Sequence, residues 1–136
     1  KVNARAFNEV DDRLLPTGVL HSVVGTALNF RDWRTLKSTP IDNSFVLSKR
    51  SSLRHAASLR LASSNLQLDC LTTQAALQIY TGDDLSAPFT TRAGICLEAQ
   101  GFPDAPNHAS APSIDLMPGQ IYRHRTLYRF SHIAEK

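Results

Sequence analysis

One glutamate, Glu98, sits in the run Gly94-Ile95-Cys96-Leu97-Glu98-Ala99-Gln100-Gly101-Phe102-Pro103-Asp104-Ala105-Pro106-Asn107, the stretch best suited to acid–base chemistry. Ile95 and Leu97 alternate with Cys96 and Glu98, a period of two that predicts a strand. Glu98 therefore points to the face opposite Ile95 and Leu97. It stands at the end of a short apolar strand, where a Pro/Asp/Asn-rich turn takes over. A carboxylate there is either a surface residue or a working one, because burying it unpaired is costly. The other reactive side chains are dispersed. His21, His55, His108, His124 and His132 show no metal-ligand spacing with each other or with Cys70 and Cys96, so no metal is expected. Two cysteines are too few for a disulfide scaffold. Both lie in β-like runs, where small buried thiols in a reducing compartment are expected, and with them a cytoplasmic location.

The elements that must position these residues are nearly all β. Residues 2–8 alternate weakly, and Pro16-Thr17-Gly18 is expected to turn the chain into a strand from Val19 to Val24. Residues 25–41 hold only a short helix-compatible piece around Asp32 to Leu36. A strand starts over Phe45 to Leu47, and Leu77 to Tyr80 is another. His55 to Leu61 and Leu66 to Leu71 form a hairpin across Ala62-Ser63-Ser64-Asn65. Pro103, Pro106 and Pro112 exclude a regular helix or central strand from 102–113, so an extended loop is expected. The clearest strand is Ile121 to His132. One of its faces carries Tyr122, His124, Thr126, Tyr128, Phe130 and His132 and is suited to packing. The arginine face, with Arg123, Arg125 and Arg129, is either wet or reaches an acidic partner across the sheet. Many short strands divided by turns point to an antiparallel β-sandwich.

With 136 residues the chain is one domain's worth, 1–136, and can bury a core. No apolar run approaches the roughly 20 residues that span a bilayer, so no membrane is expected. The net charge of +3 is mild and scattered, and its one cluster, Lys49, Arg50, Arg54 and His55, is expected to be a solvated turn. A nucleic-acid partner would need a continuous basic stripe, so none is expected.

The run "GICLEAQGFPDAPN", with Leu116-Met117-Pro118-Gly119-Gln120-Ile121-Tyr122 after it, closely resembles the C-terminal signature of the aldose 1-epimerases, or galactose mutarotases. Further segments agree in the family's order. Asp11-Asp12-Arg13-Leu14-Leu15-Pro16-Thr17-Gly18 resembles "D..LiPTG", and Val24-Gly25-Thr26-Ala27-Leu28-Asn29-Phe30-Arg31 resembles "v.GTpfDFR". Ile41-Asp42-Asn43-Ser44-Phe45-Val46-Leu47 is similar to "yDhnfvL", and the segment from Thr72 to Gly82 to "TTqPglQfYTG". Asn43 and Ala75 depart from the family's usual His and Pro. The resemblance covers nearly the whole chain but only the C-terminal portion of a family member. It implies part of a large antiparallel sandwich with an open carbohydrate cleft. Because the chain begins without Met, it is expected to be a fragment or processed piece, with exposed strand edges that seek either an N-terminal portion or another copy.

The resemblance also assigns roles. Mutarotation needs a base for the anomeric hydroxyl and an acid for the ring oxygen; the ring opens, C1–C2 rotates, and closure gives the other anomer. No cofactor is needed, because the carbonyl is made and consumed within the sugar. Glu98 matches the family's base. Asp42 matches its sugar-binding carboxylate, although a turn-forming Asp after Pro40 would have the same sequence. Gln78 matches the family's second Gln, whose amide suits a sugar hydroxyl pair or holding the base, or is a polar side chain on an exposed strand face. The family's acid, a His in a "THxYFNL"-like segment, lies upstream of the residues matched here, and none of the five histidines has that context. The monosaccharide would be a hexose such as galactose or glucose. The alternatives are a non-catalytic carbohydrate-binding module, or a relative acting on a phosphorylated sugar through Arg92 or the arginine face. Trp33, Phe45, Tyr80 and Phe102 are available to stack on sugar, though aromatics more commonly pack in cores. Asp104 and Asn107 are expected to brace the Pro-rich loop.

Overall fold

A computed structural model describes residues 1–48 and 52–133. Its strands are β1 (Ala6–Val10), β2 (Pro16–Ser22), β3 (Asp42–Val46), β4 (Arg54–Leu61), β5 (Leu66–Thr72), β6 (Ala76–Tyr80), β7 (Cys96–Gln100) and β8 (Thr126–His132). They pair antiparallel in two sheets, five-stranded β2-β1-β3-β6-β7 and three-stranded β4-β5-β8. The chain is all-β, as the turn-punctuated short strands predict.

Alternation builds the core. Phe45, Leu77, Ile79 and Leu97 face inward from the large sheet, and Ala57 and Cys70 meet them from the small one. The intervening residues Ser44, Gln78 and Glu98 therefore share the opposite face. Tyr128 Oη ties the layers by donating to the Leu97 carbonyl at 2.6 Å. The hairpin β4–β5 closes through a 3-10 turn at Ala62–Ser64 and Asn65 in the left-handed region, φ 51°.

Several boundaries differ from expectation. The turn before β2 lies at residues 11–15, not at Pro16-Thr17-Gly18. Asp11 Oδ1 accepts from the Arg13 and Leu15 amides at 2.9 Å each, so Pro16 opens the strand, a position where a missing N–H costs nothing. No helix forms over 32–36. There Arg34 folds back over the Phe30 ring and donates to the Ala27 and Asn29 carbonyls, holding the segment as a loop. Strand β8 starts at Thr126 rather than Ile121, because its partner ends: Thr72 pairs with Thr126, and β5 goes no further. Its aromatic face does not pack as expected. Phe130 is 67% exposed and Tyr128 46%, since β8 is the edge of its sheet. On the other face Arg129 reaches Asp69 across the strand pair at 3.0 Å.

Cys70 is buried, and burial pushes its thiol up to about 11. Cys96 is exposed, contrary to expectation, because it shares the face of Glu98. Arg54 and His55 open β4 and are half-buried rather than part of a solvated turn, with Arg54 donating to the Thr72 and Gln74 carbonyls. Lys49 and Arg50 of that expected cluster lie outside the described residues.

Candidate active site

Three adjacent strands bring the expected site residues together. Gln78 on β6 is paired with Ser44 on β3 at one side and with Glu98 on β7 at the other. Asp42 lies two residues from Ser44 and so shares its face, where Gln78 Nε2 donates to Asp42 Oδ1 at 2.6 Å. That bond orients one carboxylate oxygen and leaves the second free to accept. Glu98 stands in the middle of β7, which runs on to Gln100, rather than at its end. Its side chain is exposed and makes no hydrogen bond or ion pair among the described residues. The arrangement is a solvated carboxylate, able to take a proton, one strand away from an amide–carboxylate pair able to hold hydroxyl groups.

A recess of about 280 Å³ opens beside this row, walled by Asn8, Asp42, Ser44, Gln78, Gln100 and Pro103 among others; Glu98 borders it without lining it. Asn8, Ser44 and Gln100 are the lining residues to which the matched motifs assign no role. Alternation does reveal two of them, Ser44 beside Asp42 and Gln100 beside Glu98. Asn8 is placed by pairing with a strand distant in sequence, which no local pattern records. A larger opening of about 600 Å³ lies between the sheets and is lined largely by apolar residues such as Val2, Phe30, Leu59 and Leu97. It contains none of these polar groups.

The loop after β7 is braced from within. Asn107 Nδ2 donates to Asp104 Oδ1 at 2.5 Å, and His108 reaches Asp104 at 3.3 Å and the Pro16 carbonyl at 3.2 Å. The bracing is side chain to side chain rather than only to the backbone. Of the aromatics, Phe45 is fully buried and Trp33 stacks under Arg60 at 3.8 Å. The Tyr80 hydroxyl accepts from the Asp84 amide. Arg92 is engaged by Asp83 at 2.5 Å and by the Lys37 carbonyl at 2.9 Å. Among the described residues no three His, Cys, Asp or Glu side chains cluster to hold a metal, and no helix is long and apolar enough to cross a membrane.

These features define an all-β sandwich with free and paired carboxylates on one open sheet face. A family model for aldose 1-epimerase matches residues 1–129, and the chain belongs to that family. It is 35% identical to the galactose mutarotase of Rattus norvegicus over 96% of its own length, and 32% identical to that of Homo sapiens. It is 33% identical to the aldose 1-epimerase of Escherichia coli over 99% of its length. It spans 42% of the rat and human proteins and 44% of the bacterial one. The crystal structure of the GalM/aldose epimerase homologue from C. elegans superposes with a TM-score of 0.90 at 27% identity, over 98% of this chain and 45% of that one.

Proposed function

We propose that this chain carries the base half of an aldose 1-epimerase site acting on a hexose such as galactose or glucose. The observation that supports it best is the row in which Glu98, Gln78 and Asp42 share one open face of three paired strands. Glu98 takes the proton of the anomeric hydroxyl, and Asp42 and Gln78 hold other hydroxyls so that the reacting oxygen meets the carboxylate. The acid that protonates the ring oxygen is a histidine in a segment matched by none of these residues, contributed by an N-terminal portion of the same enzyme. That portion also covers the apolar surface that otherwise drives self-association. The C1–O5 bond breaks, C1–C2 rotates, and on closure the C5 hydroxyl gives its proton back to the histidine as Glu98 returns its proton to O1. Protons and electrons balance without a cofactor, and the cytoplasm is the natural setting for such a hexose.

Polarimetry tests this. The chain joined to its N-terminal portion should speed equilibration of freshly dissolved α-galactose or α-glucose, while the chain alone should do so at least ~10²-fold less well, the usual loss when an acid–base partner is missing. Family-like rates from the isolated chain would overturn the division of acid and base.

A further inference from the structure

Two polar side chains with no part in that proton transfer lie under the same recess. Asn8 is 6% exposed and Ser44 3%. Asn8 Nδ2 donates to the Ser44 carbonyl at 3.3 Å and to Ser44 Oγ at 3.1 Å. A carbonyl oxygen only accepts, so the amide must turn its nitrogen toward Ser44 and its Oδ1 away. Among the described residues nothing donates to Asn8 Oδ1, which is not sealed from solvent. Nor does anything accept the proton of the Ser44 hydroxyl. Both residues wall the recess. Buried polar groups are nearly always satisfied, so an acceptor and a donor side by side on a cavity wall call for a third partner.

The chemistry of that partner is constrained. A phosphate or carboxylate oxygen has no proton for Asn8 Oδ1, and an ammonium has no lone pair for Ser44, whereas a hydroxyl offers both. The recess contains Asp42 and no lysine, arginine or histidine, which disfavours an anionic ligand. Its 280 Å³ is at the lower end of ligand sites, about 300 Å³, and suits one ring. The row Ser44–Gln78–Glu98 crosses two strand spacings of about 4.8 Å each, which puts Ser44 at the end of a ring remote from an anomeric carbon held at Glu98. We infer that Asn8 and Ser44 read the C4 hydroxyl of an unphosphorylated hexose, which donates to Asn8 Oδ1 and accepts from Ser44 Oγ. This rests on the epimerase reading, because Glu98 fixes which end of the ring is which.

The test titrates galactose, 2-deoxygalactose and 4-deoxygalactose into the chain joined to its proposed N-terminal portion, and into the Ser44→Ala, Asn8→Ala and Ser44→Thr variants, by calorimetry, with polarimetry on the same samples. Wild type should bind 4-deoxygalactose about thirtyfold more weakly than galactose, the value of the two hydroxyl bonds it cannot make. Ser44→Ala and Asn8→Ala should each cut that difference to about fivefold, one hydroxyl bond remaining, while leaving the penalty for 2-deoxygalactose intact, and Ser44→Thr should keep it in full. Variants that weaken all three sugars equally, or none, would overturn the inference. Mutarotation by wild type without the C4 preference overturns this inference alone, whereas C4-selective binding without mutarotation overturns the proposed reaction and leaves the hydroxyl reading standing. A wild type that binds no sugar overturns both.

Discussion

Glu98 and Asp69 show how differently two carboxylates can be used in one small sandwich. Asp69 is buried, which by itself raises its carboxyl. Hydrogen bonds from Ser58, Arg129 and Gln67 outweigh burial and hold it at about 2. Its folded pKa lies below the unfolded value of about 3.9, so its stabilisation is complete above that pH and disappears as pH falls toward 2. Thermal melts from pH 5 to 2 should show wild type losing more stability than Asp69→Asn. Asp69→Ala should cost on the order of 2 kcal/mol at neutral pH, because Ser58 and Gln67 lose their acceptor. Equal acid sensitivity in wild type and Asp69→Asn would show that other groups dominate. Glu98, by contrast, has no side-chain partner among the described residues, as the base role proposed for it requires. Asp42→Asn should leave the fold intact, since an amide oxygen still accepts from Gln78, but should raise KM about tenfold through a weaker hold on a sugar hydroxyl.

At the scale of elements, much of this site is legible in local alternation. Phe45, Leu77 and Leu97 against Ser44, Gln78 and Glu98 is a period-two pattern, and it correctly places the polar set on one face. Leu77→Ala should therefore cost about 2–5 kcal/mol in chemical unfolding, as a fully buried side chain at the centre of that sheet. The pattern is silent where pairing decides. Ile121 to His132 alternates throughout, yet only the part opposite β5 becomes strand, and Asn8 joins the site through a bond to Ser44, 36 residues away. Pro16-Thr17-Gly18 has the composition of a turn, but Asp11 has already closed one. Gly18 instead lies within β2 at φ +82°, where an added Cβ would fall 2.5 Å from the His108 ring. Gly18→Ala should cost about 1–3 kcal/mol and loosen the His108 contact with Pro16, visible as a shifted His108 imidazole resonance. An unshifted resonance with unchanged stability would mean that the loop is held elsewhere.

Across the whole molecule, the two layers match in the middle and not at the rims. Phe130, Leu61 and Leu127 are exposed on the small sheet, and among the described residues β2 and β7 end the large one with unpaired edges. The chain by itself should accordingly associate as its concentration rises in light scattering, and Phe130→Glu should suppress this. An invariant monomer would show that these surfaces tolerate water. Whether the exposed carboxylate on β7 is the base of an aldose 1-epimerase can be read from the optical rotation of freshly dissolved α-galactose. The chain joined to the proposed N-terminal portion should accelerate its decay, and Glu98→Gln, isosteric but unable to take a proton, should lose ~10²–10⁴-fold of that acceleration with the fold unchanged. A Glu98→Gln variant that equilibrates the anomers as fast as wild type would contradict the account.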